Sequence, residues 1–336
     1  MVGGIQPSSP RDVLLQVEGL EKHFPQRGGW FRGRPEPIRA VDGVSFEVAA
    51  GETLGLVGES GSGKSTLART LLQLEEPSAG SIRFEGRETA GLSSSEFRPL
   101  RRSMQMIFQD PFSSLNPRRK VGDLIIEAWR VNPGTVPRDE WRDRAQDLLH
   151  RVGLKPDHID RYPNAFSGGQ RQRIGIARAL ALNPKLVICD EAVSALDVSI
   201  QAQVVNLLKD IQEEFGLSYI FIAHDLGVVR QIADRVAVMY LGKIVETGTE
   251  TEVFDRPTHP YTRALLSAVP SLMSFGERTV GRIRLDGEIP SAVDPPSGCR
   301  FRTRCWKAEP ICADEVPELR PRIGSPHPSA CHFAEG

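Results

Sequence analysis

Eight consecutive residues, Gly58-Glu59-Ser60-Gly61-Ser62-Gly63-Lys64-Ser65, set glycines, a lysine and a hydroxyl in the order of a phosphate-binding loop. Glycines let a backbone wrap an anion, and a following helix N-terminus aims N–H groups and its dipole at the same point. Lys64 can neutralise β- and γ-phosphates, and the Ser65 hydroxyl can ligate Mg²⁺. Gly58, Ser60, Gly61, Gly63, Lys64, Ser65 and Thr66 are the candidate phosphate contacts. A chance Gly/Ser turn is the plain alternative; the Lys-Ser pair and both flanking elements speak against it. A second group, Asp190-Glu191, closes an apolar run. Neighbouring side chains on a strand diverge, so Asp190 can reach the Mg²⁺ shell while Glu191 faces a water attacking the γ-phosphate. Taken alone, two acids starting a loop would be ordinary. A third group is cysteine: Cys189 stands alone, while Cys299, Cys305, Cys312 and Cys331 gather near the C-terminus. In a reducing compartment such a group reads as metal-binding before it reads as disulfides.

Strands and helices must hold these groups. Residues 13–17 and 44–48 alternate like strands, with a Gly/Pro-rich loop at 25–37 between them. Residues 53–57 form a short apolar strand entering the glycine loop, and 65–74 follow as a helix. Further strands are expected at 104–108, 186–189, 219–223 and 236–240, and helices at 170–182, 200–215 and 261–269. The stretch 111–165 reads as a mainly helical insertion. Strands alternating with helices predict a mainly parallel α/β core. After residue 259 the chain turns Pro-, Arg- and Cys-rich. The expected division is a domain over 1–270 and a tail over 271–336, with a boundary near Ser271. No internal repeat or long low-complexity tract occurs.

Composition bounds the possibilities. The 336 residues are 40% hydrophobic and 25% charged with a formal net charge of −1, ordinary for a globular protein. No global basic field points to nucleic acid. No run of about 18 apolar residues could span a bilayer, and residues 1–11 lack the apolar stretch of a signal peptide. The expectation is a cytosolic chain unless a partner holds it at a membrane. The loop 27–34, with Trp30 and Phe31, could touch lipid head groups, but a plain exposed loop is the favoured reading.

Phe166-Ser167-Gly168-Gly169-Gln170-Arg171 closely resembles the signature motif of ABC ATPases, with Phe where many members carry Leu. Physically it is a second helix N-terminus with a hydroxyl, hence a second anion site; an ordinary helix capped by Ser167 is the bland alternative. The rest of the family set follows in order. Gln109 matches the glutamine that senses Mg²⁺ and the γ-phosphate, Ser194-Ala195-Leu196-Asp197 the loop crossing the dimer interface, and His224 the switch histidine. Phe24 lies where the family stacks an aromatic residue on adenine, although a Phe after a strand is often core. The resemblance spans nearly the whole chain. Residues 109–117, 193–203, His259-Pro260-Tyr261 and the cysteine tail look like ATPase subunits of oligopeptide/dipeptide importers, with the second of the two paired subunits the nearer match. One departure is Ala192, where the family usually has Pro.

The resemblance implies an ABC ATPase core with an antiparallel β subdomain, a helical insertion and a small Cys-rich C-terminal domain. It implies an ATPase in which Lys64, Gln109, Glu191 and His224 serve catalysis, while Ser65, Gln109 and Asp190 hold Mg²⁺. Ser167, Gly168, Gly169, Gln170 and Asp197 would complete the ATP site of a second, homologous subunit, the pair being a heterodimer. Two transmembrane permease subunits and an extracytoplasmic substrate-binding protein are the implied partners, with no nucleic acid, and the place is the cytoplasmic face of the cell membrane. Substrate identity stays open: peptide comes from the resemblance, and nickel, glutathione or sugar oligomers remain alternatives. A soluble ABC ATPase acting on DNA or ribosomes would commonly carry tandem cassettes or a long coiled-coil insertion, which 336 residues do not show. A non-hydrolytic structural half is opposed by Lys64, Asp190, Glu191 and His224. The tail cysteines run C-x5-C-x6-C-x18-C without short C-x2-C hooks, amid Arg300, Arg302 and Arg304. The resemblance implies a [4Fe–4S] cluster on Cys299, Cys305, Cys312 and Cys331. Structural Zn²⁺, with His327 or His332 as possible ligands, and unpaired thiols are the alternatives.

Overall fold

Two kinds of run build the sheets: partly alternating stretches at 13–17 and 44–48, and short fully buried ones at 53–57, 186–190 and 218–222. The computed structural model describes residues 12–26, 36–109, 114–269, 283–322 and 325–334. The loop 27–34, residues 110–113 of the importer-like stretch and the expected boundary near Ser271 lie outside them.

Strand β1 (Val13–Phe24) pairs antiparallel with β2 (Ile38–Ala49), and β3 (Thr53–Val57) then enters a second sheet. Helix α1 (Lys64–Leu71) follows, then β4 (Ala79–Phe84), β5 (Arg87–Glu88) and two one-turn helices, α2 (Ser94–Phe97) and α3 (Leu100–Ser103). Strand β6 (Met104–Ile107) leads to α4 (Val121–Val131) and α5 (Trp141–Arg151), the core of the helical insertion. Next come α6 (Gly168–Leu180), β7 (Leu186–Asp190), α7 (Val198–Phe215), β8 (Ser218–Ile222), α8 (Leu226–Ile232), β9 (Arg235–Tyr240) and β10 (Lys243–Thr249). The chain ends through α9 (Glu250–Asp255), α10 (Pro260–Ser267), α11 (Ile311–Asp314), β11 (Arg320–Arg322) and β12 (Ser325–Ser329).

Among the described residues the antiparallel sheet runs β2-β1-β4-β5, and the main sheet runs β11-β12-β10-β9-β3-β8-β7-β6. The five strands from β9 to β6 are parallel neighbours. Every residue of β3, β7 and β8 is buried, as parallel strands covered on both faces require. Leu186, Ile188, Ile220 and Ile222 face a core shared with the antiparallel sheet. Val187, Cys189, Tyr219 and Phe221 face the helices. The insertion is pinned to this second core: Trp129 is buried, and its indole N–H donates to the Ala181 carbonyl at 2.6 Å.

Several elements were not anticipated. Strand β1 runs on to Phe24 because Gly19, at φ +55°, absorbs a register shift between Val17 and Leu20. Strands β4, β5 and β10 to β12 carry too many polar residues to read as strands. In β10 the polar residue Glu246 is fully buried by partners distant in sequence. The C-terminal segment adds to the main sheet, Glu246 of β10 pairing in register with Ser329 of β12.

Candidate active site

The glycine loop, 58–63, leaves the C-terminal end of β3 and enters α1, and two of its glycines are sterically required. Gly58 has φ +152° and Gly63 φ +106°. A Cβ at either position would sit 2.1 Å from a backbone oxygen, that of Met239 or Ala40. Lys64, 4% exposed, folds back onto this loop. Its ammonium donates to the carbonyls of Gly58 (2.8 Å) and Glu59 (2.9 Å) and to Ser62 Oγ (3.3 Å). Burial lowers its pKa, and the carboxylates of Glu191, Asp190 and Glu59 oppose that shift.

The two acids diverge as β7 ends. Asp190 is 3% exposed and accepts a hydrogen bond from Ser65 Oγ at 2.8 Å, which ties β7 to α1. Burial raises its pKa; the Ser65 hydrogen bond opposes this, and the neighbouring Glu191 charge adds to it. Glu191 takes a left-handed backbone, φ +48°, fixed by its N–H donating to the Ile222 carbonyl at 2.9 Å. That turn swings its carboxylate to Gln109, whose Nε2 donates to Glu191 Oε2 at 2.6 Å. His224 Nδ1 lies 3.7 Å from the same oxygen, its side chain 59% exposed. Four sequence motifs on β3, β6, β7 and β8 therefore meet at one edge, the C-terminal ends of parallel strands where open α/β sheets bind ligands. Ala192 is buried, so the position takes a small apolar side chain within the core.

Ser167 caps α6 with a reciprocal box: Ser167 Oγ accepts from Gln170 N–H at 3.4 Å, and Gln170 Oε1 accepts from Ser167 N–H at 3.1 Å. Gly168 and Gly169 let this turn lie against the next loop, since their Cβ positions would be 3.5 Å from Leu196 and 2.6 Å from Ile200. Ser167 and Asp197 are both exposed. Among the described residues no hydrogen bond or ion pair joins residues 167–170 to the loop 58–66. Phe24 ends β1 half-buried, with the Lys22 ammonium 4.7 Å from its ring centroid.

The tail cysteines stand near one another without forming a ready-made metal site. Burial pushes the Cys299 thiol up to about 11, and the charges of Cys331, Cys312 and Cys305 add to the shift. Yet among the described residues the one trio of candidate ligand atoms within 4.8 Å is Glu21, His23 and Asp42. A single tetrahedral zinc would need thiolates about 3.8 Å apart, twice the Zn–S radius scaled by tetrahedral geometry. The expected zinc histidines are engaged elsewhere. His327 Nε2 lies 2.7 Å from Glu246, and His332 Nε2 lies 3.1 Å from the Glu315 carbonyl. The lone Cys189 is fully buried, its thiol pushed far up by burial.

Two contacts with the loop were missed. Glu59 N–H donates to the Tyr261 hydroxyl at 2.8 Å, and its carboxylate pairs with Arg304. Tyr261 was singled out only within an importer-like tripeptide, and no sequence signal connects Arg304 to a loop 245 residues away.

The fold and this constellation define an ABC ATPase. Residues 41–194 match the family model described as ABC transporter, and residues 245–312 match that of the oligopeptide/dipeptide transporter C-terminal region. The oligopeptide transport ATP-binding protein AppF of Bacillus subtilis is 51% identical over 324 residues, 96% of this chain and 98% of that protein. The oligopeptide transport ATP-binding protein OppF of Salmonella typhimurium is 54% identical over 311 residues, 92% of this chain and 93% of that protein. Among solved structures, cbiO1 from Clostridium perfringens, part of an ABC transporter complex, superposes with TM-score 0.62 at 30% identity, covering 73% of this chain and 92% of that one. A dimeric ATP-binding cassette bound to ADP and Pi gives 0.62 at 28% identity, covering 70% and 98%. The chain belongs to the family of ATP-binding subunits of oligopeptide/dipeptide ABC transporters, and it is an ATPase that uses ATP and Mg²⁺. No helix among the described residues is long and apolar enough to cross a membrane.

Proposed function

We propose that this chain drives import of di- or oligopeptides by closing with a second ATPase subunit around ATP. The observation that carries the reading is the meeting of Ser65, Asp190, Gln109, Glu191 and His224 beside the loop that holds Lys64, while Ser167 is exposed on a separate helix cap. Lys64 leaves its loop carbonyls to pair with the β- and γ-phosphates. Gly58, Ser60, Gly61, Gly63 and Thr66 wrap them, and Phe24 stacks on the adenine. Two hard oxygen donors side by side, Ser65 Oγ and Asp190 Oδ1, suit Mg²⁺, with Gln109 nearby; when bound, the ion neutralises phosphate charge. Glu191 accepts the proton of the attacking water, and His224 holds the γ-phosphate side of the site. Ser167, Gly168, Gly169, Gln170 and Asp197 serve the partner's nucleotide. The relative crystallised as a dimer is a cassette of the same fold, which supports a paired assembly, here with a homologous second subunit.

Coupling to the two permease subunits runs through a groove of about 530 Å³ beside β6 and α4. Met106, Phe108, Leu124, Ala128 and Val131 line it, and Phe108 and Val131 are exposed. Its floor is the strand that presents Gln109, so a helix seated there feels the state of the site. This docking places the chain at the cytoplasmic face of a membrane, served by an extracytoplasmic binding protein. Residues 1–270 act as the nucleotide-binding domain, and 271–336 as an appended tail. Cys299, Cys305, Cys312 and Cys331 would hold a [4Fe–4S] cluster: four cysteines near enough for their thiolate charges to act on Cys299 offer the soft ligand set that such a cluster takes. Its role is structural.

Co-purification with its permease and reconstitution into vesicles tests the transport reading. ATP-dependent uptake of labelled di- or oligopeptides is expected; uptake of nickel, glutathione or a sugar oligomer with no peptide uptake overturns it. Anaerobically purified protein should be brown, with about four irons per chain, and Cys305→Ser should bleach it. Colourless protein with stoichiometric zinc removes the cluster.

A further inference from the structure

The second residue of the phosphate loop is gripped from outside the loop. Arg304 Nη1 donates to Glu59 Oε2 at 2.7 Å and Nη2 donates to Oε1 at 3.1 Å, a two-pronged pair. The Arg304 side chain is 7% exposed and that of Glu59 25%, so little water screens them. The guanidinium is set in place by aromatic rings. It lies 6.0 Å from the Tyr240 centroid, and Tyr240 packs on Tyr261 and Phe301 at 4.6 and 5.3 Å. The Tyr261 hydroxyl takes the Glu59 N–H, and the Glu59 carbonyl is one of the two that receive the Lys64 ammonium. One loop residue is thus tied to β9, to α10 and to the segment just before Cys305.

A carboxylate in a loop built for a triphosphate repels its ligand unless something cancels its charge. Within the loop Lys64 is the sole cation, and the phosphates require it. The compensating charge comes from the tail.

We propose that Arg304 is a positioning residue for nucleotide binding: it neutralises Glu59 and fixes its place, so that the phosphate loop is preorganised for ATP. The cysteine-bearing segment then forms part of the nucleotide site's supporting wall. This inference rests on the reading that residues 58–66 hold the triphosphate.

The test uses the full-length chain, with MgATP affinity measured by displacement of a fluorescent nucleotide and ATPase kinetics followed alongside. Arg304→Gln should weaken MgATP on the order of tenfold, the scale of one uncompensated charge about 10 Å away at moderate dielectric. The loss should fall on KM, with kcat changing far less, because the interaction serves bound substrate and transition state alike. Glu59→Gln combined with Arg304→Gln should recover most of the affinity, since both charges are then gone. Arg304→Lys, which keeps the charge but loses the fork, should fall between wild type and Arg304→Gln. Rescue separates charge compensation from tail docking, because the double variant lacks the same contact between segments. Wild-type affinity in Arg304→Gln, or a double variant as weak as the single, overturns the proposal. If Arg304→Gln does not fold, the double variant decides: a double variant about tenfold weaker than wild type overturns it equally. Lys64→Ala is the control. If it binds MgATP normally, the loop reading fails on its own account.

Discussion

Glu191 owes its position to one backbone torsion. Its left-handed φ of +48° is unusual for a residue with a side chain, and it sends the carboxylate away from Asp190 toward Gln109 and His224. On the proposed mechanism the adjacent acids divide the work: Asp190, hydrogen-bonded to Ser65, would serve the metal, and Glu191 the water. Glu191→Gln keeps the shape and the contact with Gln109 but cannot take a proton. Phosphate release should fall at least about a hundredfold, the scale of losing a general base, while MgATP binding persists. Turnover near wild type would take Glu191 out of the catalytic role.

At the scale of elements, the start of α10 is a buried polar junction. His259 caps the helix, its Nδ1 accepting from Tyr261 N–H at 3.1 Å, and Pro260 follows at the first helical position. Burial pushes the His259 pKa down to about 4 from an ordinary 6.5. Beside it, Glu246 accepts from Thr258 N–H (2.7 Å), Thr258 Oγ1 (2.8 Å) and His259 N–H (3.2 Å), with His327 Nε2 at 2.7 Å. Burial raises the Glu246 pKa, but the hydrogen bonds from His327, Thr262 and Thr258 outweigh it, and the net shift is downward. The signs follow from proton uptake. Between pH 6.5 and about 4 the unfolded chain protonates His259 while the folded chain does not, so stability is full above 6.5 and falls across that window. The His259 contribution is on the order of 3 kcal/mol at most. Glu246 adds a loss at lower pH, below the ordinary glutamate range. His259→Asn keeps a capping side chain without a titrating ring. Denaturant titrations at pH 7 and 5 should show a smaller drop for this variant than for wild type; equal drops would clear His259 of the effect.

At the scale of the whole molecule, two helix N-termini proposed to bind anions share no hydrogen bond or ion pair among the described residues. The α1 terminus carries the phosphate loop, and the α6 terminus, capped by Ser167, is exposed near Asp197 and the 82%-exposed Val198. On the proposed paired arrangement this exposed cap is the surface that the second subunit covers. Ser167→Arg adds bulk and charge to that surface. Nucleotide binding at the variant's own phosphate loop should persist, whereas ATP-driven association should be lost. In mixed dimers the damage should fall on the nucleotide held by the other subunit's Lys64. Damage confined to the variant's own Lys64 site would refute the paired arrangement.

How much of this was legible beforehand follows from how far each interaction reaches along the chain. The phosphate loop, the Asp190-Glu191 pair and the capped turn at Ser167 are contiguous motifs. Their shape is set by glycine torsions, a strand end and a helix cap, all local. The parallel core was equally readable, because strands buried on both faces are short, nearly continuous apolar runs, as in β3 and β8 after their first residues Thr53 and Ser218. Strand β10 was not, because its buried Glu246 is made tolerable by His327, 81 residues on, and by Thr258. The pairing of Glu59 with Arg304 spans 245 residues and exists only because the tail folds back over β9 and α10. Spacing could group the four cysteines but could not set the distances between their sulfurs, which depend on how loops pack. Sequence therefore determined which chemistry the chain carries, since its reactive groups sit in short motifs whose backbone geometry is local. Tertiary structure decided which distant charges and hydrogen bonds hold those motifs in place, because a buried carboxylate such as Glu246, or a half-buried one such as Glu59, is tolerable only when the fold delivers its partners.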